Sequence, residues 1–497
     1  MSNPPLTLYG LKNCDSCKKA MQALTAADHE VAFVDIREEA DLADRVPAWL
    51  KAVGAEALVN RRSTTWRGLT TDEQAKALGD GAAALLIEHP TLIKRPVIDT
   101  GADILVGWTS GTEDGDPAHA LAGVALVVMQ GDTVIYAGAA GRAHIAPGAD
   151  RPMTPDTKVR VASISKMALA LITQEQVDAG TVDLDCDVSN YLDWPLRNPA
   201  APDAVITLRH LLAHTSTLRD PEEYWAPLGD DIRSLILVED APFSATHPVP
   251  GDWYEYTNLN FGVAATTLEA ATGTRFDQLA SRYFAAHDLD IGYNWSGVSL
   301  AARTEGATLY RREDGAWVAQ TDDTPALAAS APVFINTNNL DLATYTPGTN
   351  GTLFSPQGGV RASAHDLARL VRELKQPQNR SLWSDPWRYD AAHPNGVTSE
   401  GGPKTYDFTT AYGLAVHLLE GDRPDAAWPS ETLIGHAGEA YGLLSGAWVS
   451  TDRDLSFAYV ITGISDVSEP PRGPRTKAFS VYEEVLIDLA RDIAPAR

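Results

Sequence analysis

Two stretches hold residues whose types and spacing can do chemistry. VASISKMALALI, residues 161 to 172, sets Ser163 and Lys166 three places apart at the head of an apolar run. On a helix starting at Ser163 the hydroxyl and the ammonium share one face, one turn apart. That is either a nucleophile beside its activating group or a helix cap followed by a lysine that reaches water. YGLKNCDSCKKA, residues 9 to 20, holds Cys14 and Cys17 as a C-x-x-C pair with Lys12, Lys18 and Lys19 close by. A helix N-terminus and neighbouring lysines lower a thiol pKa, which makes Cys14 the more reactive thiol. Zinc is the weaker alternative, because His29 and His89 supply no convincing tetrahedral set.

The elements around each stretch decide between these readings. Residues 165 to 179 are apolar almost all round and end at Gly180, which predicts a central buried helix. A lysine entering such a helix must stay paired or hydrated, since stranding its charge costs several kcal/mol. Lys166 is therefore costly to keep without a use. Around the thiols, TLYGL and VAFVDI read as strands flanking a helix from about 15 to 27. Helical patterns at 39 to 53 and 71 to 88 follow, and PVIDT with DILVGW forms a hairpin. This is a thioredoxin-like order over residues 1 to 108.

TSGTEDGDPAHA, residues 109 to 120, has no apolar period and reads as a linker. From 121 to 497 the chain opens with a hairpin, ALVVMQGDTVIYAGAAG. It continues with helices near 165 to 179, 205 to 214, 257 to 272, 363 to 375 and 477 to 493, and late strands SGAWVST and SFAYVITG. Helices in the middle and strands at both ends predict one antiparallel sheet built from the two ends of the domain. Residues 290 to 350, rich in Ala, Thr, Asn and Gly, read as long loops or an insertion.

With 44% hydrophobic and 21% charged residues, the 497-residue chain has a globular composition. Forty basic against sixty-six acidic residues leave a charge of -26, which repels phosphate backbones and anionic lipid, so neither nucleic acid nor membrane is an expected partner. No window approaches the roughly 18 uninterrupted apolar residues of a membrane span, and a cytoplasmic enzyme with a small-molecule substrate is expected. Three cysteines exclude a disulfide framework. The oligomeric state is open.

Farther along stand PGDWYEYTNLNFGVAA, where Tyr256-Thr257-Asn258 introduces a helix, and LIGHAGEAYGLLSGAWVS, where His436-Ala437-Gly438 begins a strand. With Ser163 and Lys166, these stretches resemble the class C branch of the serine β-lactamase and penicillin-binding-protein superfamily, which also holds family VIII carboxylesterases, DD-peptidases and D-aminopeptidases. LRHLLAHTSTL (208 to 218) and SPQGGVRASAHDLARL (355 to 370) are similar to two further signatures of that family, and the resemblance covers roughly 120 to 497. It implies a β-lactamase/transpeptidase-like domain, an antiparallel sheet flanked by helices with a helical subdomain. The whole chain is then a two-domain α/β and α+β protein.

A serine hydroxyl is a weak nucleophile until a base takes its proton. A phenol near an ammonium has its anion stabilised, so Tyr256 or the Lys166/Tyr256 pair is the candidate base. Asn258 is expected to hold the lysine or a substrate amide. The Ser163 amide at the helix N-terminus would supply half of an oxyanion hole. The resemblance places the other half after the third motif, at the amide of Glu439, with His436 and Gly438 on the same strand. Penicillin-hydrolysing relatives usually carry lysine where His436 stands, so the expected activity is that of a serine hydrolase on a small ester, amide or D-amino-acid peptide. β-Lactamase activity is the second alternative, and no resident cofactor or metal is implied.

Residues 5 to about 108 resemble the arsenate-reductase-like branch of the thioredoxin superfamily, through the Cys14 stretch, LVNRRSTTWRGL around Arg62, and HPTLIKRPVI, where Arg95 precedes an expected cis-proline. Where arsenate reductases carry a third arginine this chain has none near Trp108. The module is expected to be a thiol reductase, with glutathione as its possible co-substrate, or a binding module. The alternative for the whole chain is a thiol-dependent or redox-regulated protein whose β-lactamase-like domain only binds ligand. Plainer roles are expected elsewhere: His210 and His214 in the core or capping a helix, Cys186 as a buried thiol, Trp225 and Trp253 as cleft wall or packing.

Overall fold

The computed structural model describes residues 6–12, 14, 17–18, 20–21, 31–61, 63–79, 81–99, 104–106, 121–145, 151–313, 316–320, 342–397, 410–464, 473–476 and 478–494. Arg62, Trp108 and the 109–120 stretch lie outside them. The chain divides into two compact units, Met1–Ala120 and Leu121–Arg497.

In the first unit, β1 (Leu6–Gly10) pairs in parallel with β2 (Val31–Asp35) and antiparallel with β3 (Val97–Asp99), which pairs with β4 (Ile104–Val106). The sheet order β2-β1-β3-β4 is the thioredoxin-like one, and the closing hairpin stands as expected. Residues 17, 18, 20 and 21 are helical. The 39 to 53 pattern forms α1 (Leu42–Leu58), running longer than expected but broken at Gly54, whose φ of 77° is left-handed. The 71 to 88 pattern is not one helix. α2 (Thr64–Gly68), α3 (Thr71–Ala77) and α4 (Ala82–Glu88) are short, and glycines at 79 and 81 separate the last two. Trp49 of α1 packs edge-on against Tyr9 of β1, with Leu86 and Ile93 closing the core.

In the second unit, the described residues form a nine-stranded sheet. At its centre β15 (Leu433–Ala440), β16 (Leu443–Ser450), β17 (Leu455–Thr462), β5 (Gly123–Gln130) and β6 (Thr133–His144) run antiparallel in that order. β17 lies against β5 in register from Leu455↔Gln130 to Thr462↔Gly123, so the sheet does join the two ends of the unit. Along β17, Ala458 and Val460 face one core while Phe457, Tyr459 and Ile461 face another. Both faces are therefore covered. The first carries α5 (Ile164–Asp178) and the second α10 (Val481–Ile493), which Ser480 and Glu483 start with a capping box.

The remaining helices differ from the expected ranges for local reasons. α6 covers Leu208–Leu212 only, because His214 takes a φ of 57° and ends it. α7 (Leu259–Thr272) ends at left-handed Gly273, and α8 (Phe276–Ala286) follows directly. The 363 to 375 pattern is α9 (Ala364–Leu370) continued by a 3₁₀ segment, Val371–Lys375. Residues 290 to 350 hold more than loops: a Leu300–Thr304 helix and a hairpin of β9 (Leu309–Glu313) with β10 (Ala316–Gln320). Among the described residues no helix is long and apolar enough to cross a membrane.

β8 (Val159–Arg160) leads into the site, and the residue before it anchors it. Lys158 Nζ donates to Asp366 Oδ2 at 2.5 Å, both side chains being nearly buried, and the same oxygen accepts the Ser363 amide at the start of α9. Removing one partner leaves a buried charge, so Lys158→Met should destabilise the second unit by about 3 kcal/mol. Asp366→Leu added to Lys158→Met should recover part of that loss, as read by calorimetry of the full chain.

Candidate active site

The turn into α5 carries the backbone strain of the site. Ala162 takes a φ of 51°, and Ser163 follows it at the N-cap. Ser165 holds the turn, donating through Oγ to Ala162 O at 2.6 Å and accepting from the Val360 amide at 2.9 Å. Tyr293 Oη adds a bond to Ser165 O at 2.5 Å. The serine is thus presented by a rigid elbow rather than by a loose loop.

Lys166 is fully buried, as α5 is from Ile164 to Gln174. Its Nζ donates to Ser163 Oγ at 2.9 Å and to Gln357 O at 3.0 Å, and stands 4.7 Å from the centroid of the Tyr256 ring and 5.4 Å from that of Phe261. Hydroxyl, carbonyl and aromatic faces together take up a charge that water cannot reach. Ser163 and Lys166 meet as their spacing predicts, and the Tyr256 ring joins them as the resemblance implies.

Asn258 is placed differently from the expectation that it holds the lysine. Its carboxamide and amide both donate to Asp220 Oδ2 at 2.9 Å, and the Leu259 amide donates to Asp220 Oδ1 at 2.8 Å. Asp220 thereby caps α7, whose orphan amides it satisfies. The carbonyl that accepts from Lys166 is Gln357 O, on the Gly-Gly turn.

β15 closes the other side. A Cβ at Gly438 would overlap Val161 O and lie 3.1 Å from Ser163 N, so only glycine lets the strand approach the elbow. Ser445 of β16 clamps that approach by donating to Val161 O at 3.0 Å. Glu439, exposed, follows on the strand edge, paired with Leu444.

His436 is buried on the same strand and enters a network that the sequence did not disclose. The Thr257 amide donates to His214 Nδ1 at 2.9 Å, His214 Nε2 meets Tyr412 Oη at 3.2 Å, and Tyr412 Oη meets His436 Nε2 at 3.0 Å. His436 Nδ1 meets Ala437 O at 2.5 Å. The His214 ring stacks on Tyr256 at 4.3 Å, and His417 stands edge-on to His436 at 4.4 Å. Burial first, then the Lys166 charge, pushes His417 down to about 3 and His214 well below the ordinary imidazole range. His214, Gln357 and Ser445 lie in stretches that the sequence singles out, but without these roles; Asp220, Tyr412 and His417 carried no signal. His210 does cap its helix, accepting the Thr207 amide on Nδ1 at 3.3 Å. Trp253 stacks flat on His247 at 3.7 Å, and Cys186 is half-buried rather than buried.

In the first unit Cys14, half-buried, sits beside Cys17, which is buried, and Arg95 precedes a cis Pro96. Burial raises the Cys14 pKa, but hydrogen bonds from Cys17 and the charge of Arg95 outweigh it and leave the thiol below its ordinary value. Burial pushes Cys17 up to about 12. Arg95 is thus the cation that acts on Cys14, where the lysines had been expected to act; Lys12 is turned to Glu38 and Glu39 at 3.5 and 3.3 Å.

Sheet, elbow serine and buried lysine define the second unit as a penicillin-binding-protein-like hydrolase fold. The chain belongs to the beta-lactamase family, whose model matches residues 109–478, and residues 9–112 match the ArsC family. A D-aminopeptidase of Brucella anthropi is 33% identical over 352 residues, 67% of this chain and 54% of the relative. Esterase EstB of Burkholderia gladioli is 31% identical over 170 residues, 31% of this chain and 42% of the relative. These alignments therefore span about half the length of those two relatives. An uncharacterized Haemophilus influenzae protein is 42% identical over 105 residues, 90% of its own length. Among solved structures, a D-amino acid amidase from Ochrobactrum anthropi matches with a TM-score of 0.51 at 18% identity, covering 75% of this chain and 94% of that one, which shows the fold.

Two outcomes test this geometry. Gly438→Ala should lower stability by about 1–3 kcal/mol through overpacking against the elbow, read as a shift in thermal midpoint. Arg95→Leu should move the pH midpoint of Cys14 alkylation upward, because the favourable charge is lost, while Cys17 stays unreactive at pH 7.

Proposed function

We propose that the Leu121–Arg497 unit is a serine hydrolase that acts through an acyl-enzyme on a small ester, amide or D-amino-acid peptide. The observation that carries this reading is the 2.9 Å bond from the fully buried Lys166 ammonium to Ser163 Oγ, with the Tyr256 ring against the same ammonium. Tyr256, whose anion the Lys166 ammonium stabilises, takes the proton as Ser163 attacks the substrate carbonyl. The Ser163 amide, at the positive end of α5, and the Glu439 amide on β15 receive the developing oxyanion. The proton passes to the leaving group, and water then cleaves the ester on Ser163. The D-aminopeptidase, esterase and amidase among its relatives support such substrates. β-Lactamase activity is disfavoured, since His436, with both ring nitrogens hydrogen-bonded, does not supply the permanent cation of a lysine.

A second reading applies to the first unit alone. The lowered Cys14 thiol beside Arg95 supports a thiol reductase that uses glutathione as co-substrate. Arg62, the further arginine of that site, lies outside the described residues.

A fluorophosphonate probe should label Ser163, and Ser163→Ala should abolish both labelling and p-nitrophenyl ester turnover, with a loss of about 10³-fold or more. Lys166→Ala should lose a comparable amount. Protein that turns over thiol substrates but never carries an acyl or phosphonyl group on Ser163 would overturn the hydrolase reading in favour of the thiol one.

A further inference from the structure

The hydrogen bonds between Thr257 and Ala437 run in one direction only. The chain starts at a group that can only donate, the Thr257 amide, which reaches His214 Nδ1 at 2.9 Å. A neutral imidazole that accepts on Nδ1 carries its proton on Nε2, so His214 donates to Tyr412 Oη across 3.2 Å. The phenol's own proton then goes to His436 Nε2 across 3.0 Å. His436, accepting there, keeps its proton on Nδ1 and donates to Ala437 O, a group that can only accept, at 2.5 Å. Both ends are backbone groups of fixed polarity, so the neutral chain has one fully satisfied arrangement, and in a buried site a reversed one leaves polar atoms unpaired.

We propose that Tyr412, held by His214, is a positioning residue that locks His436 as a neutral imidazole protonated on Nδ1, so that the hydrolase selects substrates presenting an uncharged group, not a carboxylate, to that strand. The proposal rests on the serine-hydrolase reading for its substrate, but the tautomer stands on geometry alone. Among the described residues, the following charged and titratable groups face the cluster. The Lys166 ammonium of α5 opposes a second positive charge in the cluster, and His417, on the His417–Leu419 strand beside β15, stands edge-on to His436 at 4.4 Å. Tyr256 stacks on His214 from the start of α7, and Tyr254 stands edge-on to His214 at 5.7 Å and tilted to Tyr412 at 5.5 Å. From β16 the facing residue is Ala447, which carries no charge.

The test uses the full chain labelled with ¹⁵N-histidine, its signals assigned by His214→Asn and His436→Gln. Long-range ¹H–¹⁵N spectra at pH 7 should show the proton on Nδ1 of His436 and on Nε2 of His214. In Tyr412→Phe the His436 signal should become a mixture of tautomers, and the apparent pKa on the acid limb of kcat/KM for p-nitrophenyl acetate should move toward the free imidazole value of about 6.5. At pH 6 kcat/KM should fall by up to about fourfold, the loss expected when an imidazole of pKa about 6.5 is mostly protonated. A wild-type His436 that is an imidazolium or is protonated on Nε2 at pH 7 overturns the proposal, as does a Tyr412→Phe protein with unchanged tautomer and pH profile. Should Tyr412→Phe fail to fold, the wild-type spectra decide the matter. Absence of any Ser163 acylation would instead overturn the hydrolase reading and leave the tautomer result intact.

Discussion

The site depends on keeping one ammonium charged inside a helix that water does not reach. Lys166 belongs to a run buried from Ile164 to Gln174, and moving its charge there unaided would cost more than the unit could recover. The surrounding structure answers that cost with the Ser163 hydroxyl, the Gln357 carbonyl and the Tyr256 and Phe261 rings. Each of these partners must be held in place by its own part of the fold. Burial first, and then the same charge acting outward, lowers the pKa of the His214 and His417 imidazoles. The charge that touches Ser163 thus also bears on the protonation of a cluster.

The backbone around that charge is built with little tolerance. The elbow at Ala162 is strained, and Ser165, Val360 and Tyr293 hold it by hydrogen bonds from three separate segments. Gly438 lets β15 slide beside it, and Ser445 fastens strand to elbow. The position of Ser163 is therefore a property of the sheet and the helix together.

What the sequence disclosed and what it withheld divide along chain distance. Ser163 and Lys166 lie one helical turn apart, and an apolar run with a lysine in it is legible as a buried helix with a purpose. The thioredoxin-like order and the sheet built from both ends of the second unit were legible from strand and helix periodicity. Tyr412 meets His214 across 198 residues and Lys166 meets Gln357 across 191, through a two-residue strand and a turn that have no periodicity of their own. The partner of Asn258 was hidden for the same reason, since the carboxylate that engages it, Asp220, comes from a loop 38 residues earlier. The length of α6 was set by the left-handed backbone at His214, which residue type does not announce. In the first unit nearness in sequence drew attention to the lysines, whereas Arg95, distant in sequence and legible only through the resemblance, is a cation that lowers the Cys14 thiol pKa.

The pairing of β17 with β5 has a consequence for how the second unit comes into being. Thr462 bonds to Gly123 across 339 residues, and the central layer of the sheet is open until that contact forms. During synthesis β5 and β6 emerge as a hairpin whose β5 edge has no strand to cover it, and that edge stays open while the helices between are made. Such high contact order makes closure slow. A chain interrupted before residue 455 would hold the serine, lysine and tyrosine yet lack the strand on which the site's frame closes. The frame of this centre therefore closes only once β17 is made, long after its serine, lysine and tyrosine.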